Sequence, residues 1–200
     1  MNINTKEHWD KVWLSEGANT WRRYPGCYDR IVDRIGPGQS VLDVGGGVGI
    51  LSWYLKQAGC YPYIVDISPA AVMIAKTVRG IDGHVQQVPP LEVMMPYDWL
   101  VATEFLEHLG DPEKFLRDAV KVAPKAVYAV PNNVLGPDDE PEHMQKFTKK
   151  SLVALLGKYY GSVEVDKFVD DFLTGRVGKR GDQLTAENIT IPTLLAYCEV

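Results

Sequence analysis

The sequence predicts one α/β unit built around a seven-stranded, mostly parallel sheet whose last strand runs antiparallel. Two observations carry this prediction. From residue 40 to residue 131, short apolar segments alternate with amphipathic segments, which is typical of parallel strands joined by helical crossovers. After residue 160, two apolar segments follow each other without a helix between them, and strands joined in this way pair antiparallel. Helices are therefore expected on both faces of the sheet.

Two helices are predicted before the sheet, within about residues 5–35. Gly36-Pro37-Gly38 ends the second helix, because neither glycine nor proline favours its continuation. We therefore expect residues 1–38 to form a helical cap or lid and residues 39–200 to form the main domain. Trp13, Trp21, Arg22, Arg23 and Tyr24 are the candidate lid residues.

Apolar spacing and helix-capping residues give the remaining elements. Ser68-Pro69 begins one helix, since serine caps helix N-termini and proline suits the first helical position. Asp111 and Thr148 begin two others. The charged, glycine-containing segment 170–188 is expected to leave the sheet as an insertion. The predicted strands lie at about residues 40–44, 61–67, 84–88, 97–102, 126–131, 161–168 and 191–200.

The most specific local pattern is Gly45-Gly46-Gly47-Val48-Gly49, which follows the first strand and its Asp43. A strand, a glycine turn and a helix N-terminus open many nucleotide sites of α/β proteins. Glycine suits the turn because its backbone angles are closed to other residues and because a ligand can approach bare backbone. The dinucleotide spacing G-x-G-x-x-G is not met, since Ile50 and Ser52 occupy the required positions, and no P-loop lysine follows.

An acidic residue beside the glycine run suits a ligand with a positive charge and no phosphate. S-adenosylmethionine is such a ligand, with an α-ammonium group at one end and adenosine at the other. The segment resembles the first motif of the class I S-adenosylmethionine-dependent methyltransferases, which have a Rossmann-like fold. The resemblance spans about residues 40–200, and it implies an enzyme with S-adenosylmethionine as its cofactor.

The resemblance assigns the cofactor to the ends of the first four strands. Asp66 would accept hydrogen bonds from both ribose hydroxyls, and Glu104 would face the methionine end. Many relatives carry an acid at strand three, where this chain has Gln86-Gln87-Val88, so Val88 backbone groups or the Gln87 amide are expected at the adenine. The predicted cofactor-binding residues are Asp43, Gly45, Gly46, Gly47, Asp66, Ile67, Val88 and Glu104.

Glu104-Phe105-Leu106-Glu107-His108 resembles the E-x-x-E-H segment of quinone-biosynthesis-type methyltransferases, which act on small molecules. On a helical turn, Glu104, Glu107 and His108 would share one face. Three interpretations stay open: His108 as a general base, a structural role, or a divalent metal site that includes His143. The last resembles the small-RNA 2′-O-methyltransferases. The predicted catalytic residues are His108 and His143, and no metal is assigned.

Composition narrows the function further. The formal net charge of −5 argues against a nucleic-acid substrate. Three cysteines without a C-x-x-C pair, and a chain start without an apolar signal core, predict a cytoplasmic protein that does not insert into membranes. The leading hypothesis is methyl transfer to a small-molecule acceptor by in-line displacement. The alternatives are a metal-dependent RNA 2′-O-methyltransferase and a non-catalytic cofactor-binding subunit.

Overall fold

The computed structural model describes residues 3–16, 25–173 and 188–200 and contains a seven-stranded sheet with helices on both faces. The strands are β1 (Ser40–Val44), β2 (Tyr61–Asp66), β3 (Asp82–Val85), β4 (Trp99–Thr103), β5 (Lys125–Pro131), β6 (Ser162–Leu173) and β7 (Asn188–Glu199). The helices are α1 (Lys6–Glu16), α2 (Pro25–Ile35), α3 (Ile50–Gln57), α4 (Pro69–Ile74), α5 (Pro112–Val122) and α6 (Lys149–Leu156). A π-helical turn, Ala75–Arg79, extends α4, and a 3₁₀ turn, Leu106–His108, follows β4.

The strands are ordered β3-β2-β1-β4-β5-β7-β6. Strands β1 to β5 pair in parallel, and β7 lies antiparallel between β5 and β6. The predicted seven-stranded, mostly parallel sheet with a reversed last strand is therefore confirmed. The order reverses between β1 and β4, and ligands of open α/β sheets bind at the carboxyl ends of the strands beside such a reversal.

Strand β5 shows how one buried strand serves two apolar layers. Ala126, Tyr128 and Val130 face the layer that contains α5 and α6, whereas Val127 and Ala129 face the layer that contains α2 and α3. Side chains alternate along a strand, so a parallel strand covered on both faces must be apolar throughout. This explains why β5 is a continuous apolar segment in the sequence.

The predicted N-caps form as expected. The Ser68 hydroxyl oxygen accepts a hydrogen bond from the Ala71 N–H at 3.1 Å, and Asp111 and Thr148 cap α5 and α6 in the same way. These caps fix where three helices begin. For Ser68, the cap also fixes the backbone that directly follows β2.

Three strands, β3, β6 and β7, differ most in extent from the prediction. Strand β3 begins two residues before the predicted range 84–88 and ends three residues before the end of that range, and Pro89 and Pro90 prevent further pairing because proline has no N–H to donate. Strands β6 and β7 extend beyond β5, where they pair only with each other. Within the predicted insertion 170–188, residues 170–173 belong to β6 and Asn188 begins β7, which corrects the prediction there, and residues 174–187 lie outside the described residues.

The candidate lid residues Trp21, Arg22, Arg23 and Tyr24 also lie outside the described residues. Trp13 is described and belongs to α1. Within residues 3–16, 25–173 and 188–200, no helix has the length and apolar character needed to cross a bilayer.

Candidate functional site

A cavity lies at the carboxyl ends of β1 to β4, beside the reversal of strand order. It is lined by Gly45 after β1, Asp66 at the end of β2, Val88 after β3 and Glu104 after β4. Helix α1 closes one side with Trp9 and Trp13. Parallel pairing brings these strand ends to one edge, so residues far apart in sequence meet there.

The glycine run forms a loop that no other residue type could form without displacing its neighbours. Gly45 has φ +71°, and a Cβ atom there would lie 2.5 Å from Cδ2 of Phe105. Gly47 has φ +52°, and a Cβ atom there would lie 2.6 Å from Cζ2 of Trp13. Gly45 lines the cavity with the Phe105 ring beside it, whereas Gly47 lies outside the lining, against Trp13.

Asp66 ties this loop to the segment that follows β2. Its Oδ2 accepts a hydrogen bond from the Gly47 N–H and its Oδ1 accepts one from the Ser68 N–H, both at 2.8 Å. The side chain is 7% exposed and lines the cavity. A carboxylate offers about four lone-pair positions, so two remain for hydroxyl donors.

Asp43 lies behind the glycine loop and outside the cavity lining, which differs from the predicted direct contact with a ligand cation. The side chain is 2% exposed, and its Oδ2 accepts a hydrogen bond from the Ser52 hydroxyl at 2.7 Å. Burial raises the pKa of Asp43 to about 7, so the carboxyl is only partly ionised near neutral pH. Asp43 therefore lies beneath the glycine loop. Gly46 and Gly47, which were also predicted to bind the cofactor, do not line the cavity either.

Glu104 is the acidic side chain that lines the cavity beyond β4. Its φ is +51°, an uncommon value for a residue other than glycine, and its N–H donates to the Ala129 carbonyl at 2.9 Å. Such strain persists where surrounding structure enforces it, often at functional sites. A cation in this cavity would thus meet Glu104 rather than Asp43.

The opposite end of the cavity is less polar. Ile67 and Val88 are half-buried there, as an adenine-binding wall would require. The Gln86 amide donates to the Pro90 carbonyl at 3.0 Å, whereas Gln87 is exposed. A second cavity adjoins the first and shares Asn4, Ile67, Gln86 and Gln87 with it.

Helix α1 is held against this edge by polar contacts. Asp10 Oδ1 accepts hydrogen bonds from the Ser68 hydroxyl at 2.5 Å and from the Ala70 N–H at 3.0 Å. At the start of the helix, the Asn4 amide donates to the carbonyls of Glu142 at 2.8 Å and His108 at 3.1 Å. The N-terminal segment is therefore fixed at both ends of the cavity.

Glu107, His108 and His143 lie together, but not as predicted. Residues 106–108 form a 3₁₀ turn, so Glu104 and Glu107 do not share a helix face: Glu104 lines the cavity, and Glu107 is buried behind it. The donor atoms of Glu107, His108 and His143 all lie within 4.8 Å of one another. His108 lines the cavity, whereas His143 does not.

The loop that carries His143 is anchored on the 3₁₀ turn. The N–H groups of Met144 and Gln145 donate to the Glu107 carbonyl at 2.7 and 3.0 Å. The His108 ring packs edge-on against the His143 ring, with centroids 4.8 Å apart. These contacts bring His143 to His108 across 35 residues of sequence.

Burial shifts the titration of two of these groups. It lowers the pKa of His108 to about 4, so the imidazole is neutral near pH 7. Burial, followed by the nearby charge of Glu104, raises the pKa of Glu107 well above its ordinary value.

Sequence reasoning missed three residues that shape the site: Asn4, Asp10 and Phe105. Phe105 lies within the E-x-x-E-H segment, but nothing in that pattern indicates that its ring lies against Gly45. Asn4 and Asp10 act through contacts with residues at least 58 positions away, and no local spacing reports such contacts.

The comparisons with known proteins agree with this geometry. The family model described as a methyltransferase domain matches residues 20–159. The chain belongs to this methyltransferase family. The match covers 140 of the 200 residues and includes β1 to β5 and the whole glycine loop.

Among curated relatives, the ubiquinone biosynthesis O-methyltransferase of Xanthomonas campestris pv. campestris strain B100 is 33% identical over 101 residues. The match covers 46% of this methyltransferase chain and 42% of the relative, so it spans less than half of the relative's length.

Two solved structures show the fold. The magnesium protoporphyrin IX methyltransferase of Synechocystis PCC 6803 with bound SAH is 18% identical, with a TM-score of 0.64 and coverage of 86% of this chain and 81% of that chain. A SAM-dependent methyltransferase of Thermotoga maritima is 15% identical, with a TM-score of 0.68, and the match covers 96% of this chain and 98% of that chain.

The buried carboxyl of Asp43 predicts a pH-dependent stability. The folded protein keeps this proton up to about pH 7, whereas the unfolded chain loses it near the ordinary pKa of 3.8. The stabilisation is therefore complete below the unfolded pKa and is lost as the pH rises through 7. Asp43→Asn cannot ionise and still accepts from Ser52. Between about pH 5 and about pH 8, the free energy of unfolding should fall in the wild type by about 2 kcal/mol more than in Asp43→Asn.

Urea denaturation at several pH values measures this difference. Asp82→Asn serves as the control, because that carboxyl is exposed and paired only with Lys76 at the surface. Parallel pH profiles for the wild type and Asp43→Asn would contradict the assignment.

Proposed function

We propose that the protein transfers a methyl group from S-adenosylmethionine to a small-molecule acceptor. The observation that carries the proposal is the Asp66 carboxylate, which lines a cavity beside a glycine loop at the reversal of strand order. Membership of the methyltransferase family supports the same conclusion.

The residues of the cavity fit this cofactor. Asp66 has lone pairs left for the two ribose hydroxyls, and Ile67 and Val88 provide an apolar wall for the adenine. The Gly45 backbone in the cavity lining and the carboxylate of Glu104 suit the methionine end, where the ammonium group requires acceptors. The cofactor, once bound, would supply an activated methyl group on a sulfonium sulfur.

The protein's part in the reaction is alignment and the exclusion of water. Trp9 and Trp13 cover the cavity from α1, and we propose that residues 1–38 act as its cap. His108 and Glu104 both line the cavity, so we propose that the acceptor binds there; His143, predicted as catalytic, lies outside the lining and would position the His108 ring that it packs against. Asp43 would act beneath the loop as a positioning residue.

The relatives and the net charge of the chain limit the chemical class of the acceptor. The curated relatives are named O-methyltransferases of ubiquinone biosynthesis, which supports an oxygen nucleophile on a small-molecule acceptor. The net charge of −5 does not favour a nucleic-acid acceptor. Cys27, Cys60 and Cys198 are buried free thiols, which supports a cytoplasmic location.

Loss of the Asp66 carboxylate should weaken cofactor binding. We expect Asp66→Ala to raise the Kd for S-adenosylhomocysteine by about 5- to 150-fold, the range for losing a charged hydrogen-bond partner. Asp66→Asn keeps one acceptor oxygen and should show a smaller increase. Isothermal titration calorimetry measures both.

Asp82→Ala is the matched control, since it removes one acidic side chain from the exposed start of β3. Circular dichroism would establish that each variant is folded. A folded Asp66→Ala protein with the wild-type Kd would refute the ribose assignment.

Loss of the His108 imidazole should affect turnover rather than cofactor binding. We expect His108→Ala to lower kcat by about 100-fold or more, because the ring lies at the acceptor end, while the Kd for S-adenosylhomocysteine changes by less than about twofold. The assay follows methyl transfer to a panel of small phenols and carboxylic acids, using the acceptor with the highest wild-type rate.

His84→Ala removes an imidazole from β3, outside the cavity lining, and is the control for the loss of a ring. Equal kcat values for His108→Ala and the wild type would remove His108 from the catalytic machinery. A large loss of cofactor affinity would instead place it on the cofactor side.

A further inference from the structure

A second cavity adjoins the adenine end of the proposed cofactor site. It lies between the start of α1 and the end of β3, and it is lined by residues 4–7, by Ile67 and by residues 85–87. The residues that line both cavities, and at which the two spaces meet, are Asn4, Ile67, Gln86 and Gln87. The methyl transfer proposed above uses the first cavity alone, which leaves the second without a role.

The order of the strands explains why the first cavity is open at this end. The strands contribute to its lining in their spatial order: Glu104 follows β4, Gly45 follows β1, Asp66 ends β2 and Val88 follows β3. This series stops at β3, because β3 is the edge strand of the described sheet. The sheet therefore provides no further strand to close the cavity beyond Val88.

The two glutamines at the junction do not form a fixed wall between the cavities. The Gln86 amide is already engaged, since its Nε2 donates to the Pro90 carbonyl at 3.0 Å and its Oε1 lies 3.1 Å from Nε2 of His84. Gln87 is exposed, so a ligand can displace its side chain into solvent. A group that extends from the first cavity therefore has a path into the second.

The shape of adenine directs one group toward this junction. The ribose is attached at N9, and the six-membered ring with its exocyclic N6 amino group forms the side of the purine remote from that bond. With the ribose on Asp66 and the purine against Ile67 and Val88, N6 would face Gln87 and the second cavity. This step rests on the proposed function, which assigns the ribose and the adenine to these residues.

We propose that the second cavity is a subsite for an organic substituent on N6 of the adenine. The protein then binds N6-alkylated S-adenosyl nucleosides as well as the unsubstituted cofactor. Ile67 is half-buried and Val85 is 46% exposed, so both have apolar surface that such a substituent covers. Thr5, Lys6 and Glu7 are exposed, so the far end of a long substituent reaches solvent.

Isothermal titration calorimetry on the full chain tests the subsite with S-adenosylhomocysteine and its N6-benzyl derivative. We expect the two Kd values to agree within about tenfold, and a larger increase for the N6-benzyl derivative would overturn the proposal. The 2′-O-methyl derivative is the comparison ligand. It lacks one of the two hydroxyl donors beside the Asp66 side chain, which is 7% exposed, and should bind at least about tenfold more weakly than S-adenosylhomocysteine.

A matched pair of variants locates the substituent. Val85→Trp enlarges a side chain that lines the second cavity and not the first, so it should raise the Kd of the N6-benzyl derivative relative to that of S-adenosylhomocysteine by about fivefold or more. Val153→Trp makes the same change at a 38% exposed position of α6 and should leave this ratio unchanged. An unchanged ratio in a Val85→Trp protein that is folded by circular dichroism would place the substituent elsewhere and contradict the proposal.

The same titrations separate this inference from the function on which it rests. If S-adenosylhomocysteine binds and the N6-benzyl derivative does not, the subsite is absent while the cofactor assignment stands. If S-adenosylhomocysteine itself does not bind, the proposed function fails and the subsite fails with it. If the 2′-O-methyl derivative binds as tightly as the N6-benzyl derivative, the tolerance belongs to the whole cofactor cavity, and the second cavity has no specific part in it.

Discussion

The hydrogen bonds that Asp66 accepts from Gly47 and Ser68 are the interaction on which the site depends. They join the glycine loop after β1 to the turn after β2, so the cavity wall is one connected unit. Asp10 extends this unit to α1 by accepting from Ser68 and Ala70. A single buried carboxylate therefore determines where the loop, the helix start and the cap lie relative to one another.

Three buried acids lie at this edge of the sheet, and each has a different neighbour. Asp43 has a hydroxyl donor, Asp66 has two backbone N–H donors, and Glu107 lies beside the Glu104 carboxylate. Burial raises the pKa of all three. Of these three acids, Asp66 lines the cavity, so its remaining acceptor positions are those that the ribose hydroxyls of a ligand would satisfy. The arrangement favours ligand binding over the stability of the ligand-free protein.

Local patterns in the sequence predicted the sheet and its glycine loop, because apolar alternation and capping residues act over a few positions. Ser68, Asp111 and Thr148 cap helices as expected. The burial of the Asp43 side chain could not be predicted from such patterns, because an acidic residue at a strand end looks the same in the sequence whether it faces a ligand or packs beneath a loop. The contact between His143 and His108 depends on a loop anchored by Glu107 backbone atoms, and no residue spacing encodes it.

The most direct test of the cofactor assignment is a crystal structure of the protein with S-adenosylhomocysteine. We expect both ribose hydroxyls to donate to the Asp66 carboxylate, the adenine to lie against Ile67 and Val88, and the homocysteine end to lie between Gly45 and Glu104. A nucleoside bound away from Asp66, or a homocysteine ammonium in contact with Asp43 and not with Glu104, would contradict it.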